Sequence, residues 1–176
     1  MNAPKLKDPS WRTPDALWEQ LHVEYRFNLD VAASVDNTKL PCFFDAGMDA
    51  LSRPWDYLGA PARVWCNPPY NPKGEIARWL QKGLEEAARG VFSVFLVPMS
   101  SSVGWFNDLV IPYAEWHTFR GRVAFIDPVP GHERMSPKQD NLLVVFDPRS
   151  TVVGHDAVRD AKNGKILWRR SLESGT

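Results

Sequence analysis

The stretch Val91-Phe92-Ser93-Val94-Phe95-Leu96-Val97 carries a single polar residue. A run of that kind reads as a strand buried on both faces of a parallel sheet. Val64-Trp65-Cys66 and Leu142 to Phe146 have the same character and read as two further buried strands. Between them the period changes. Ile76, Trp79, Leu80, Gly83, Leu84 and Ala87 recur at helical spacing, which predicts a helix starting near Gly74 and stopping at Gly90. Leu17 and Leu21, with Trp18 and Tyr25, predict an earlier helix over residues 14–26, with Thr13 as its N-cap and Pro14 at its first position. Phe27 to Val31 reads as a strand with Phe27, Leu29 and Val31 on one face, and Cys42 to Phe44 as a short strand closed by Asp45. Trp105-Phe106 opens a short helix, Ala114 to Phe119 is a further strand, and Arg120 to Phe125 makes a turn and another strand. Asn163-Gly164 suggests a hairpin turn. Strands and helices in this alternation make an α/β fold.

At 176 residues the length fits a single compact domain. Residues 1–10 read as a flexible arm, 11–148 as the main domain and 149–176 as a C-terminal extension. The eight tryptophans and nine phenylalanines read mostly as core, since large aromatics dominate core energetics. A formal net charge of zero counts against a protein that coats nucleic acid, and leaves room for a local basic patch. Cys42 and Cys66 provide neither a disulfide framework nor a zinc spacing, which fits a reducing compartment. No secretory leader is legible, and no apolar run is long enough to cross a bilayer, so neither a membrane nor a metal is expected as a partner.

The candidate chemistry centres on Asn67-Pro68-Pro69-Tyr70, which follows the strand ending at Cys66. Ligands of open α/β sheets bind outside the carboxyl ends of strands, in such loops. The two prolines fix φ and donate no N–H, so the loop is stiff and rich in acceptors: the Asn67 side-chain oxygen and the Pro68 carbonyl. Tyr70 adds a flat apolar face. The set suits a planar group bearing an NH2, although two prolines after an asparagine also make ordinary surface turns. Asp30 ends a strand and is followed by Ala32-Ala33-Ser34, small residues that let a ligand approach the backbone. Asp45 and Asp49 fall at later strand ends or loops, and the three acids either hold a nucleoside-like ligand together or are solvated separately. Arg120, Arg122, Arg134 and Lys138 concentrate basic charge within loops, where they either contact phosphates or meet only water. Arg169-Arg170 poses the same choice.

Taken in order, Trp11-x-Thr13-Pro14, Leu29-Asp30-x-Ala32-Ala33-Ser34, Asp49-Ala50-Leu51, Asn67 to Tyr70, Gly121-Arg122-x-x-Phe125 and Ser136-Pro137-Lys138 resemble the phage-type DNA N-6-adenine methyltransferases, a Dam-like group. The resemblance spans roughly residues 11–148. It implies a Rossmann-like fold dependent on S-adenosylmethionine (SAM), with DNA as partner and no obligate protein partner. It also implies a cytoplasmic setting, that of the host if the chain is phage-encoded. Asp30 and Ala32 would lie by the methionine part of SAM and Thr13 by its carboxylate. Asp45 would hold the ribose and Asp49 the cofactor's adenine amine. Asn67 and Pro68 would hold the target N6 amine, Tyr70 would stack on the base, and Phe125 would offer a second stacking face. Arg120, Arg122 and Lys138 would contact DNA. One departure is plain: Ala32-Ala33-Ser34 stands where methyltransferases commonly carry a glycine-rich loop, and the segment from Asp30 to Asn67 is compressed, implying a shortened cofactor half. Methylation of another amine (cytosine N4, an RNA base, a glutamine amide) and a non-catalytic DNA-binding module are the alternatives.

Overall fold

The computed structural model of the chain describes residues 11–56, 61–127 and 139–171. Seven strands form one mixed sheet: β1 (Leu29–Asp30), β2 (Arg63–Cys66), β3 (Phe92–Pro98), β4 (Glu115–Arg120), β5 (Asn141–Phe146), β6 (Gly154–Asp160) and β7 (Ile166–Arg169). They lie in the order β1-β2-β3-β5-β4-β6-β7. The first three are parallel, β5 is antiparallel to both β3 and β4, β6 is parallel to β4, and β7 closes the far edge antiparallel to β6. Strands β1, β2, β3, β4 and β6 therefore all end on the same edge of the sheet. Both strands of the segment after residue 148 belong to this sheet.

The long apolar runs sit where two-sided burial is needed. Every residue of β3 and of β5 is buried. Their side chains alternate between two cores, one on each face. Phe95, Val97, Leu142 and Val144 pack with Trp79 and Leu80 of helix α2 (Glu75–Ala88) and with Phe106 and Val110 of a π-helical turn. Val94, Leu96, Leu143 and Val145 pack with Leu17, Leu21 and Tyr25 of helix α1 (Asp15–Tyr25) on the other face. Helix α2 approaches β3 closely because position 83 is glycine. A Cβ there would stand 2.5 Å from the Phe95 ring. Gly90, at φ 92°, ends the helix region as expected, and Gly164, at φ 72°, makes the β6–β7 turn.

Three local expectations are corrected. Thr13 is not the N-cap of α1. Pro14 occupies that place with no side-chain cap, while Thr13 is buried with its hydroxyl facing Asn67. The Phe27–Val31 strand shrinks to Leu29–Asp30, because α1 ends at Tyr25 with Arg26 as its C-cap in the left-handed region (φ 52°), and Phe27 and Asn28 lead from that cap into β1. Phe27 accordingly packs in the α1 core, and Leu29 and Val31 in the opposite one. Val123 to Phe125 forms no strand. Both residues are buried in the α1 core, and the chain is tied down instead by an isolated bridge between Arg12 and Ile126.

The least expected element is Arg159 of β6, which is fully buried. Its guanidinium donates to both carboxylate oxygens of Glu24 at 2.8 Å, to the Tyr25 hydroxyl at 2.9 Å, to the Gly164 carbonyl at 2.9 Å and to His117 Nδ1 at 2.8 Å. All five N–H donors of an arginine lie in one fixed fork, so this set fixes α1 relative to β4 and β6. Burial pushes the Glu24 carboxyl up, but its bonds to Arg159 hold it below the ordinary carboxylate value. Burial also lowers the His117 pKa, so its ring is neutral near pH 7. Because Nδ1 accepts from Arg159, the proton sits on Nε2 and is donated to Glu115 at 2.6 Å. Glu115, His117 and Asp156 converge within 4.8 Å. With its proton on Nε2 the imidazole presents a donor to these carboxylates, and Asp156 is engaged by Arg169 at 3.0 Å. Removing only the arginine leaves Glu24, Tyr25 and His117 without their shared partner. Arg159→Met is expected to cost about 3 kcal/mol, the lower range for breaking one side of a buried pair, read as a lowered urea midpoint.

Candidate active site

Asn67 follows β2 directly, at the carboxyl edge of the parallel strands. Its carboxamide orientation is settled by its neighbours. Nδ2 lies 3.1 Å from the Trp11 carbonyl and 3.4 Å from the Thr13 hydroxyl, and a carbonyl can only accept. The opposite end, Oδ1, lies 3.3 Å from the Tyr70 hydroxyl, which is also 3.2 Å from the Leu96 carbonyl. Burial pushes the Tyr70 phenol well above its ordinary pKa, so it stays protonated and remains a donor. Oδ1 is therefore the acceptor end of the carboxamide, and it shares the single Tyr70 proton with the Leu96 carbonyl. The Pro68 beside it is buried and has no N–H of its own to compete.

A cavity of about 350 Å3 opens along this edge. Its walls include Thr13, Asp30, Ala32, Asp45, Asp49, Asn67, Pro68 and Tyr70, so one space collects every residue expected at the cofactor and transfer positions. Backbone pairing explains how the acids meet. The Asp30 N–H donates to the Cys42 carbonyl at 3.1 Å and the Phe44 N–H to the Asp30 carbonyl at 2.8 Å, which lays residues 42–44 along β1. The expected Cys42–Phe44 strand is thus a single parallel bridge between Phe43 and Asp30. Asp45 follows and accepts from the Met48 N–H at 3.0 Å, closing a 3₁₀ turn that leads to Asp49 at the rim.

Asp30 is the anomalous group. It is only 4% exposed, and among the described residues no cation lies within ion-pair distance of it. The nearby Lys39 ammonium is paired with Asp15 instead. Burial raises the Asp30 pKa to about 6, against the partial help of backbone N–H groups of Ala32 and Lys39 at 3.3 and 3.5 Å. Asp30 thus presents a buried carboxylate to a cavity whose lining also holds Arg12 and Lys39, and the Lys39 charge further offsets the effect of burial.

Other expected residues fall elsewhere. Phe125 is 5% exposed and meets Tyr70 edge-on, ring centroids 6.2 Å apart, behind the cavity wall. Arg120 ends β4 as an exposed side chain and Arg122 pairs with Asp140 at 3.2 Å, both on the cavity's edge of the sheet. Arg134 and Lys138 lie outside the described residues. Arg169 and Arg170 lie at the opposite edge. Arg169 bridges Asp156 and Glu24, and Arg170 donates to the Val153 carbonyl at 3.3 Å. The cavity also draws in Trp11, Arg12, Lys39, Phe44 and Trp79, whose place there sequence reasoning missed. Trp79 looked like any apolar position of an amphipathic helix, and only its place in the first turns of α2 brings it to this edge.

Fold and site define a class: a single-sheet α/β protein whose ligand cavity opens at the carboxyl ends of parallel strands, with an Asn-Pro-Pro-Tyr turn in its wall. Comparison with known proteins narrows the class. The profile of the DNA N-6-adenine-methyltransferase (Dam) family matches residues 1–164, and the chain belongs to that family. A DNA N-6-adenine-methyltransferase of Haemophilus phage HP1 is 26% identical over 157 residues, covering 85% of this chain and 84% of that protein. One of Escherichia phage T1 is 30% identical over 108 residues, 61% of this chain but only 43% of that protein. The family and reaction class implied by the ordered motifs are thus the ones found. Among the described residues no helix is long and apolar enough to cross a membrane.

The raised pKa of Asp30 has a signed consequence for stability. The folded state holds this proton more tightly than the unfolded chain, so the stability contributed by the neutral acid is complete below about pH 4 and is lost as pH rises through about 6. Without ligand, Asp30→Asn is expected to be more stable than the parent at pH 7.5 by about 2–3 kcal/mol, and the gap is expected to close toward pH 4. Melting temperatures of both proteins across that range check it.

Proposed function

We propose that the cavity binds SAM and that Asn67-Pro68-Pro69-Tyr70 presents the N6 amine of an adenine flipped out of duplex DNA. The observation that carries this reading is the fixed carboxamide of Asn67, a cavity-lining residue whose Nδ2 is held by the Trp11 carbonyl and the Thr13 hydroxyl, so that Oδ1 is left as its acceptor end. The cavity suits the donor molecule. Its volume lies within the range of small-ligand sites, and its buried carboxylate forms no ion pair among the described residues. In this reading Asp30, with Ala32, receives the methionine portion and Thr13 lies toward its carboxylate. Asp45 and Asp49 receive the ribose and adenine. The sheet supports a Rossmann-like methyltransferase fold with a shortened cofactor half, since among the described residues only β1 and the Phe43 bridge lie beyond β2 on that side.

The adenine N6 lone pair is delocalised into the ring and is a poor nucleophile. Asn67 Oδ1 and the Pro68 carbonyl accept its two hydrogens and favour a more tetrahedral nitrogen. The donor supplies a methyl group already activated by a sulfonium, so orientation provides much of the rate. An amine inside a stacked duplex cannot reach these acceptors, hence the flip. Tyr70, held by its hydroxyl and backed by Phe125, offers the base an immobile ring. Arg120, Arg122 and Lys138 lie with the DNA in this reading, which places the reaction wherever that DNA is, the host cytoplasm for a phage protein.

The test is transfer of labelled methyl from SAM to duplex DNA, followed by nucleoside analysis. Label is expected in N6-methyladenine, and Asn67→Ala is expected to reduce transfer about 10²–10³-fold, the usual loss for one preorganised polar group at a reacting centre. Label only in another nucleoside or in protein contradicts the substrate assignment. Undiminished transfer by Asn67→Ala contradicts the role of the carboxamide.

A further inference from the structure

The cations on the cavity's edge of the sheet include two that the ordered motifs do not touch. Strand β6 is parallel to β4 and ends beside it, with Arg120 in register with Asp160 and the Ala161 N–H donating to the Arg120 carbonyl at 3.2 Å. The β6–β7 turn therefore stands next to the Arg120–Arg122 tip. Ala161 packs in the same apolar cluster as Val123, Phe125 and Tyr70, which joins the turn to the transfer site. Gly164 lies against Leu17 of α1, where a Cβ would stand 2.8 Å from Leu17 Cδ1, so the turn is seated and not free-standing. Its conformation is held by Asp160, whose carboxylate accepts the N–H groups of Lys162 at 2.8 Å and Asn163 at 3.3 Å. The side chains of Lys162 and Lys165 are exposed, and among the described residues neither ammonium has a carboxylate within ion-pair distance. The other end of the hairpin differs: its arginines are spent on Asp156, Glu24 and the Val153 carbonyl.

We propose that the β6–β7 turn grips the phosphate backbone of duplex DNA through Lys162 and Lys165, beside Arg120, flanking the site where the base is taken out. The inference rests on the methyl-transfer reading for the identity of the partner. Extruding a base requires the flanking backbone to be held, and unpaired lysines on a seated turn are point charges suited to phosphates. Such contacts carry no sequence information, so any duplex reports them.

The experiment is binding of the full chain to a short duplex over a series of salt concentrations. Lys162→Ala/Lys165→Ala is expected to flatten the slope of log K against log salt by about 2, near 0.9 for each phosphate no longer neutralised. Arg89→Ala, at the opposite edge of the sheet, is expected to leave the slope unchanged. The SAM-induced rise in melting temperature is expected to persist in the lysine variant, which separates a weakened grip on DNA from a damaged fold. An unchanged slope in the lysine variant, or an equal change in Arg89→Ala, overturns the proposal. Failure of the parent to methylate adenine overturns the methyl-transfer reading alone, since the slope still decides the role of the lysines.

Discussion

A buried guanidinium organises this molecule. Arg159 lies in the sixth strand of seven, yet its partners come from the end of the first helix, from β4 and from the turn that follows its own strand. A buried ion pair is weak evidence for stability, because apolar replacements of similar volume often do as well. Its worth here is register. A five-donor fork is satisfied in one arrangement of α1 against β4 and β6. The segment leading into α1 then delivers the Trp11 carbonyl and the Thr13 hydroxyl to Asn67, and so fixes which end of that carboxamide donates and which accepts. The C-terminal strands thus bear on the transfer site through the helix they hold.

Two further constraints converge on the same edge of the sheet. The parallel pairing of β1, β2 and β3 places Asp30, Asn67 and Pro98 at neighbouring strand ends. The bridge to Phe43 lays a short segment along β1, and this brings Asp45 and Asp49 to the mouth without a further full strand. The resulting cavity has a buried carboxylate at one place and a fixed amide acceptor at another. A carboxylate at that depth destabilises the unliganded protein at neutral pH, a cost that binding a cationic or hydroxyl-bearing ligand relieves.

Much of this was legible in the sequence, where the signal was local. Buried strands announce themselves as unbroken apolar runs, and β2, β3 and β5 fall where Val64, Phe92 and Leu142 suggested. The Asn163-Gly164 turn and the helix after Gly74 depend on backbone preferences of a few adjacent residues. Asp30, Asn67 and Pro68 were legible as cavity residues because they fall at or just beyond strand ends, and parallel pairing collects such positions. What escaped depends on long-range geometry. Thr13 has the letters of an N-cap, but its hydroxyl is claimed by a residue 54 positions away. Val123 to Phe125 has the apolar content of a strand but lies against the core and, among the described residues, pairs with no strand. Arg169-Arg170 looks like a basic tail, but acids of β6 and α1 face it. Arg159 pairs with a glutamate 135 positions earlier, and no pattern in one sequence marks that.

The central claim is that one cavity holds the methyl donor against the Asn67 acceptor. A crystal structure with S-adenosylhomocysteine bound tests it most directly. The account expects the ligand in the cavity between Asp30 and Asn67, with its amino-acid or ribose portion on the Asp30 carboxylate and its sulfur turned toward the Asn67-Pro68 turn. A ligand bound elsewhere, or one in the cavity with its sulfur turned away from Asn67, contradicts it.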